Sequence, residues 1–184
     1  MEKIKFIENP KHIFECFYPP ITLEDDIWYL HPTLPVYANS MGRLMITDPE
    51  YRLSRNFYLV TRPFDLPKIH IYKGVERIAS YKSAASIIFE AYNDRPAEGH
   101  IYRMNLNPYD ARADNLMDRG CFSKKEGNEY NVRMTKFIDR SAEEMLRKEK
   151  DNPGFYNDGF WVKVAMPNRI MKRYHLKKEQ LKTE

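Results

Sequence analysis

Asp110, Asp114 and Asn115 lie close together in the chain and are the residue types that hold a hard cation. Asn107 followed by Pro108 reads as an N-cap and a first-turn proline, so a short helix is expected to begin there. On such a helix Asp110 and Asp114 share a face and would hold a metal with Asn115 beside them. The commoner outcome of that spacing is a solvated helix face, with Asp110 complementing the helix N-terminus, and no metal is expected. Hydrolysis at such a site also needs a proton acceptor. Arg103, on the preceding extended segment, stays protonated at any physiological pH and cannot serve. His100 is the nearest imidazole. Strand side chains alternate faces, so His100 points away from the side of Arg103 and reads as a surface or strand-edge histidine.

The elements that must carry these residues follow from periodicity and breakers. A chain of 184 residues with 42% hydrophobic content can bury a real core. Its twelve prolines, concentrated before residue 110, break the first half into short strands and turns, while longer helical patterns follow. The expected class is α+β, a small antiparallel sheet and hairpin with packed helices. Residues 1–35 read as an irregular aromatic and proline-rich arm anchored by Phe14, Phe17, Tyr18, Trp28 and Tyr29. Extended segments are expected near 42–47 and 56–62, then a hairpin over 68–81 closed at Lys73-Gly74. A helix over 82–93 carries Ala85, Ile88, Phe89 and Tyr92 on one stripe, and the strand and short helix described above occupy 100–117. Residues 123–128 read as a polar linker. A helix over 134–150 turns Met134, Phe137, Ile138, Met145 and Leu146 inward and stops at Asn152-Pro153-Gly154. A strand at 159–165 precedes a basic tail helix whose Met171, Tyr174, Leu176 and Leu181 form no clean stripe, so the tail is expected to dock loosely or to order on a partner.

Four segments in chain order carry a family resemblance: VYANSMGRL at 36–44, KIHIYKGVER at 68–77, SIIFEAY at 86–92 and DNL at 114–116. They are similar to the YxVSNxGRV opening segment, the Gly-turn hairpin, the HRLVAEAF helix and the ENL motif of phage and intron HNH homing endonucleases. The resemblance spans 36–128 and implies an HNH-like domain there. An arm at 1–35, a helix-plus-strand extension at 129–168 and a basic tail at 169–184 complete the chain. It implies a degenerate ββα-metal-like core in which Tyr102, Arg103, Asn107 and Asn115 are vestigial HNH positions. Arg103 stands where the family has its base histidine, and Asn115 where the family's helix ligand sits. The family's NHIDGNKxNN is YRMNLNPYDA at 102–111, so the implied nuclease activity is expected to be lost, with no catalytic residue remaining. An ion pair from Arg103 to Asp110 or Asp114 would replace a metal by an internal cation.

Charge limits the partners. Lys and Arg total 30 and Asp and Glu 26, but residues 169–184 alone hold six basic residues, Arg169, Lys172, Arg173, Lys177, Lys178 and Lys182, against two acidic ones. The remainder, with twenty-four of each sign, is formally neutral. Proteins that grip duplex DNA spend several cations on phosphates, so any nucleic-acid affinity is assigned to Arg169, Lys172, Arg173, Lys177 and Lys178. Cys16 and Cys121 are too few for the zinc-ribbon version of the fold and are expected to stay reduced, while His12, His31, His70 and His175 form no ligand cluster. No metal or other cofactor is expected, and neither a membrane span nor a signal peptide is expected. The expected function is that of a non-catalytic, phage-encoded recognition or adaptor protein with protein partners, in the cytoplasm of an infected bacterium. Cargo selection or import for a phage replication compartment is one job of that kind. The alternatives are a nucleic-acid-binding module derived from a homing endonuclease, and an HNH nuclease with a rearranged site.

Overall fold

The computed structural model describes residues 11, 13–16, 27–53, 59–60, 69–81, 83–108, 110–154 and 166–183. The expectations for Phe17, Tyr18 and a strand at 159–165 lie outside the described residues. The class is α+β, with short antiparallel sheets and packed helices. Strands β1 (Trp28–Leu30), β2 (Tyr37–Asn39) and β3 (Leu44–Met45) run antiparallel; β4 (Tyr51–Leu53) leaves this sheet, and β5 (Leu59–Val60) returns to pair with β3. The arm expected to be irregular therefore contributes a strand, β1. In it Trp28 is half-buried, and the Tyr29 ring lies 4.5 Å from that of Tyr92.

β4 pairs instead with the hairpin formed by β6 (Ile69–Lys73) and β7 (Glu76–Tyr81). Gly74, at φ +55°, supplies the left-handed turn that pairs Lys73 with Glu76. Helix α1 (Ala84–Asn93) buries Ala85, Ile88 and Phe89 as its stripe predicts, and Ala84, Ile87 and Ala91 widen the buried face. Together with Val36, Ala38, Leu44, Leu53 and Ile71 these residues form the first core cluster. The helix ends at Asp94 in the left-handed conformation, two residues before Pro96.

β8 (Ile101–Arg103) and β9 (Leu116–Asp118) form a two-stranded ladder in the register Ile101–Asp118, Tyr102–Met117, Arg103–Leu116. Helix α2 (Lys124–Asp151) follows, and it corrects the linker expected at 123–128. Ser123 and Glu126 make a capping box: the Ser123 hydroxyl accepts from the Glu126 N–H at 3.3 Å, and the Glu126 carboxylate accepts from the Ser123 N–H at 2.9 Å. The reciprocal bonds start the helix early despite Gly127 in its first turn, so 124–128 belongs to the same helix as 129–151. Among the residues expected to face inward, Phe137, Ile138 and Met145 are buried, and Met134 and Leu146 are partly so.

Helix α3 (Asn168–Gln180) corrects the loosely docked tail. Met166, Ile170 and Tyr174 recur every four residues and are buried with Ile13, Leu106, Tyr130, Phe137, Ile138, Ala142 and Met145 in a second core cluster. Ion pairs lock the contact: Arg173 with Asp139 at 2.9 Å, Lys177 with Glu143 at 3.0 Å and Lys178 with Glu149 at 2.6 Å. The first two pairs advance together along both helices, so α3 runs parallel to α2. The 3-10 turn Ile13–Glu15 closes the far side, where the Ile13 N–H donates to the Ser141 hydroxyl at 2.9 Å and Lys148 sits over the Phe14 ring. No helix among the described residues is long and apolar enough to cross a membrane.

Candidate functional site

The loop from Met104 to Asn115 joins β8 to β9, and short polar side chains dictate its shape. The Asn105 N–H donates to Asn115 Oδ1 at 2.9 Å, while Asn115 Nδ2 donates to Asn105 Oδ1 at 2.9 Å and to the Asp110 carbonyl at 3.0 Å. Asn105 Nδ2 donates to Asp110 Oδ2 at 2.7 Å, and the Asn107 N–H donates to Asn105 Oδ1 at 3.0 Å. Side chains that capture nearby backbone groups compete with helix formation. They win here, so the helix expected from Asn107-Pro108 does not form. Among the described residues of the loop the one helical turn is the 3-10 segment Ala113–Asn115, and β9 begins directly after it.

This geometry separates the residues that the sequence spacing placed together. Asp110 is buried and accepts from the Arg112 N–H and guanidinium, at 2.6 Å to Nη2, whereas Asp114 is exposed. They share no helix face. The cation that Asp110 holds is Arg112, whose pKa rises because of that hydrogen bond, and not Arg103. Asn115 is 0% exposed and lies in a 3-10 turn before a strand rather than on an α-helix. Its carboxamide presents no atom to solvent, and Nδ2 donates both its protons within the loop.

Arg103 is 8% exposed and lies on the same side of β8 as Ile101. Burial pushes the phenol of Tyr130 on α2 up to about 12, against the opposing influence of the nearby Arg103. Tyr102 takes the other face and stacks edge-on with Phe122 and Tyr130 at 5.1 Å each, and His100, exposed, meets Tyr102 at 5.0 Å. The strand thus carries His100 and Arg103 to opposite sides. Asn107 is buried within the closed loop. Cys16, brought near Asp110 by the arm, has its thiol pushed up to about 12 by burial and by the carboxylates of Glu15 and Asp110. Among the described residues no group of three or more His, Cys, Asp or Glu is arranged to hold a metal.

Two supports of the loop escape sequence reasoning. The first is the β2–β3 turn, where Gly42 at φ +82° leaves so little room that a Cβ would stand 2.7 Å from the Ala111 carbonyl oxygen. The Ala113 N–H donates to the Ser40 carbonyl beside it, at 3.0 Å. The second is Asp118, fully buried at the end of β9, which accepts from Arg95 at 2.7 and 3.2 Å, from the Glu98 N–H at 2.8 Å and from the Cys121 N–H at 3.2 Å. Burial works against its charge, but the Arg95 guanidinium and these N–H groups together hold the carboxyl well below its usual range. No local pattern announces the Gly42–Ala111 approach or the Arg95 and Glu98 bonds to Asp118, because they join segments twenty or more residues apart; only the Cys121 bond is local.

No family model, curated protein or solved structure matches this chain. Its chemistry must therefore be read from its own residues. The loop whose carboxylates and amide suggest a cation site is a closed polar staple. Of the five basic residues assigned to the tail, Arg173, Lys177 and Lys178 are engaged by acids of α2. Arg169 and Lys172 make no ion pair with another described residue and line a cleft of about 310 Å³.

Proposed function

We propose that this chain is a non-catalytic, HNH-endonuclease-like phage protein that works as a protein-recognition or adaptor factor. One observation carries the reading: the residue at the place of the family's base, Arg103, is buried and permanently charged, and Asn115 is enclosed in a hydrogen-bonded loop. A nuclease needs an acceptor and a metal ligand open to substrate. The chain order β8, β9, α2, two paired strands followed by a helix, supports a ββα-metal-like origin for this region. Cargo selection or import for a phage replication compartment, in the cytoplasm of an infected bacterium, is the setting in which such an adaptor would act.

The test is affinity purification of the full chain from infected cells with identification of what co-purifies, alongside a Mg²⁺- and Mn²⁺-dependent cleavage assay on plasmid and single-stranded DNA. Specific proteins with no cleavage are expected. Metal-dependent nicking abolished by Asn115→Ala would overturn the reading in favour of a rearranged nuclease. The second reading, a nucleic-acid-binding module, draws on Arg169 and Lys172 at the α2–α3 cleft. Counterion release makes such binding fall steeply between low and physiological salt, whereas apolar protein contacts persist. Tight duplex binding by the wild-type chain at physiological salt, lost when Arg169 and Lys172 are neutralised, would promote it.

A further inference from the structure

We infer that the cleft between α2 and α3 is a docking groove for an acidic protein segment bearing an apolar side chain. This inference rests on the adaptor reading and names the surface it would use. Thr135 and Ile138 of α2 line the cleft opposite Arg169, Lys172, Arg173 and Leu176 of α3. Positions 169, 172, 173 and 176 have the spacing that puts side chains on one helix face. Leu176 is 52% exposed there, and Val132, three residues before Thr135 on α2, is 54% exposed. Leu176 and Ile138 give the groove apolar surface, Val132 lies one turn before it on α2, and Arg169 and Lys172 add positive charge at its edge, the complement of a segment that alternates acidic and apolar residues.

Charge accounting favours protein over nucleic acid. Asp139 already engages Arg173, and Glu143 and Glu149 engage Lys177 and Lys178. Arg169 and Lys172 are left as the cations facing the cleft without an ion-pair partner among the described residues. Two cations grip a carboxylate or two well, but they are few for tracking a phosphate backbone, which draws its affinity from many such contacts. Leu176 gains only from an apolar partner, the kind of anchor that dominates protein interfaces.

The experiment measures fluorescence anisotropy of the full chain with three labelled probes: a short peptide of Asp and Glu carrying two leucines, the same peptide with both leucines replaced by serine, and a single-stranded oligonucleotide. The leucine peptide should bind at physiological salt and the serine peptide at least about tenfold more weakly. The double variant Arg169→Glu, Lys172→Glu should lose about tenfold or more in affinity for the leucine peptide, and Leu176→Ser several-fold, with unfolding curves unchanged because these side chains lie at the surface. Equal binding of the two peptides, displacement of the leucine peptide by the oligonucleotide at physiological salt, or full binding by the double variant would each overturn the groove. A partner protein captured by the wild type and retained by the double variant would reject the groove while leaving the adaptor reading in place. Nucleic acid as the sole specific partner would reject the adaptor reading itself.

Discussion

Replacing Gly42 by alanine tests whether the turn of the opening segment supports the loop at 104–115. Two costs add. Gly42 sits at φ +82°, where an L side chain costs about 1–2 kcal/mol. A Cβ would also stand 2.7 Å from the Ala111 oxygen, 2.8 Å from its carbonyl carbon and 3.2 Å from the Arg112 nitrogen, all backbone atoms. These atoms cannot swing aside as a side-chain end would, because the Asn105–Asn115–Asp110 hydrogen bonds hold the loop, so overpacking adds about 1–3 kcal/mol. The total is about 2–5 kcal/mol. Gly74→Ala is the control: its φ is +55° with nothing within 4 Å of the added carbon, so only the conformational cost of about 1–2 kcal/mol applies. For a domain of this size each kcal/mol lowers Tm by about 2–4 °C, so Gly42→Ala should melt about 4–20 °C below wild type. Urea unfolding of both variants beside wild type measures the difference. Equal losses for the two variants would refute the close contact between the β2–β3 turn and the loop.

Arg103→His alone should restore no Mg²⁺- or Mn²⁺-dependent plasmid nicking, because a base without a positioned metal is not a site; nicking by this single variant would show that the loop opens. Ile170→Ala should cost about 2–4 kcal/mol by urea unfolding, and deleting residues 168–184 should cost more, since Ile170 and Tyr174 belong to the second core; an unchanged melt would return the tail to a loosely docked element. Asp118, with its folded carboxyl held below the ordinary 3.8, contributes stability that is complete above that value and is lost as pH falls below it. Asp118→Asn should therefore lower stability at neutral pH and flatten the acid limb of a stability profile, and an acid limb identical to wild type would refute that role.

How much was legible follows the range of the forces involved. The α1 stripe and the Gly74 hairpin rest on local period and turn chemistry, and both stand in the structure. The class, α+β, followed from the distribution of prolines and helical runs. The early start of α2 was also local, because Ser123 and Glu126 already have capping-box spacing; the surrounding Lys, Gly and Asn masked it as a linker. β1 and β4 are three residues long, and cross-strand pairing rather than their own composition makes them strands. The apolar residues that seat α3 are Ile170 and Tyr174 together with Met166 just before the helix, a set that begins ahead of the basic run and is missed when only the residues within that run are compared.

The loop at 104–115 shows why residue type alone could not separate a site from a staple. Amide and carboxylate atoms that would hold a cation are the same atoms that cap backbone N–H groups, and spacing is neutral between the two uses. What decides is whether those atoms are satisfied from within. Asn105, Asp110 and Asn115 spend theirs on one another and on the loop backbone, and Arg112 neutralises the one buried carboxylate among them. The closed loop then places Leu106, at φ +60°, in the second core beside Tyr130, Ile170 and Tyr174. Burying that leucine links the loop directly to the α2–α3 pair. The same polar residues that invite a catalytic reading thus hold in place the scaffold on which Arg169, Lys172 and Leu176 are displayed, so recognition through the α2–α3 groove depends on the staple remaining shut.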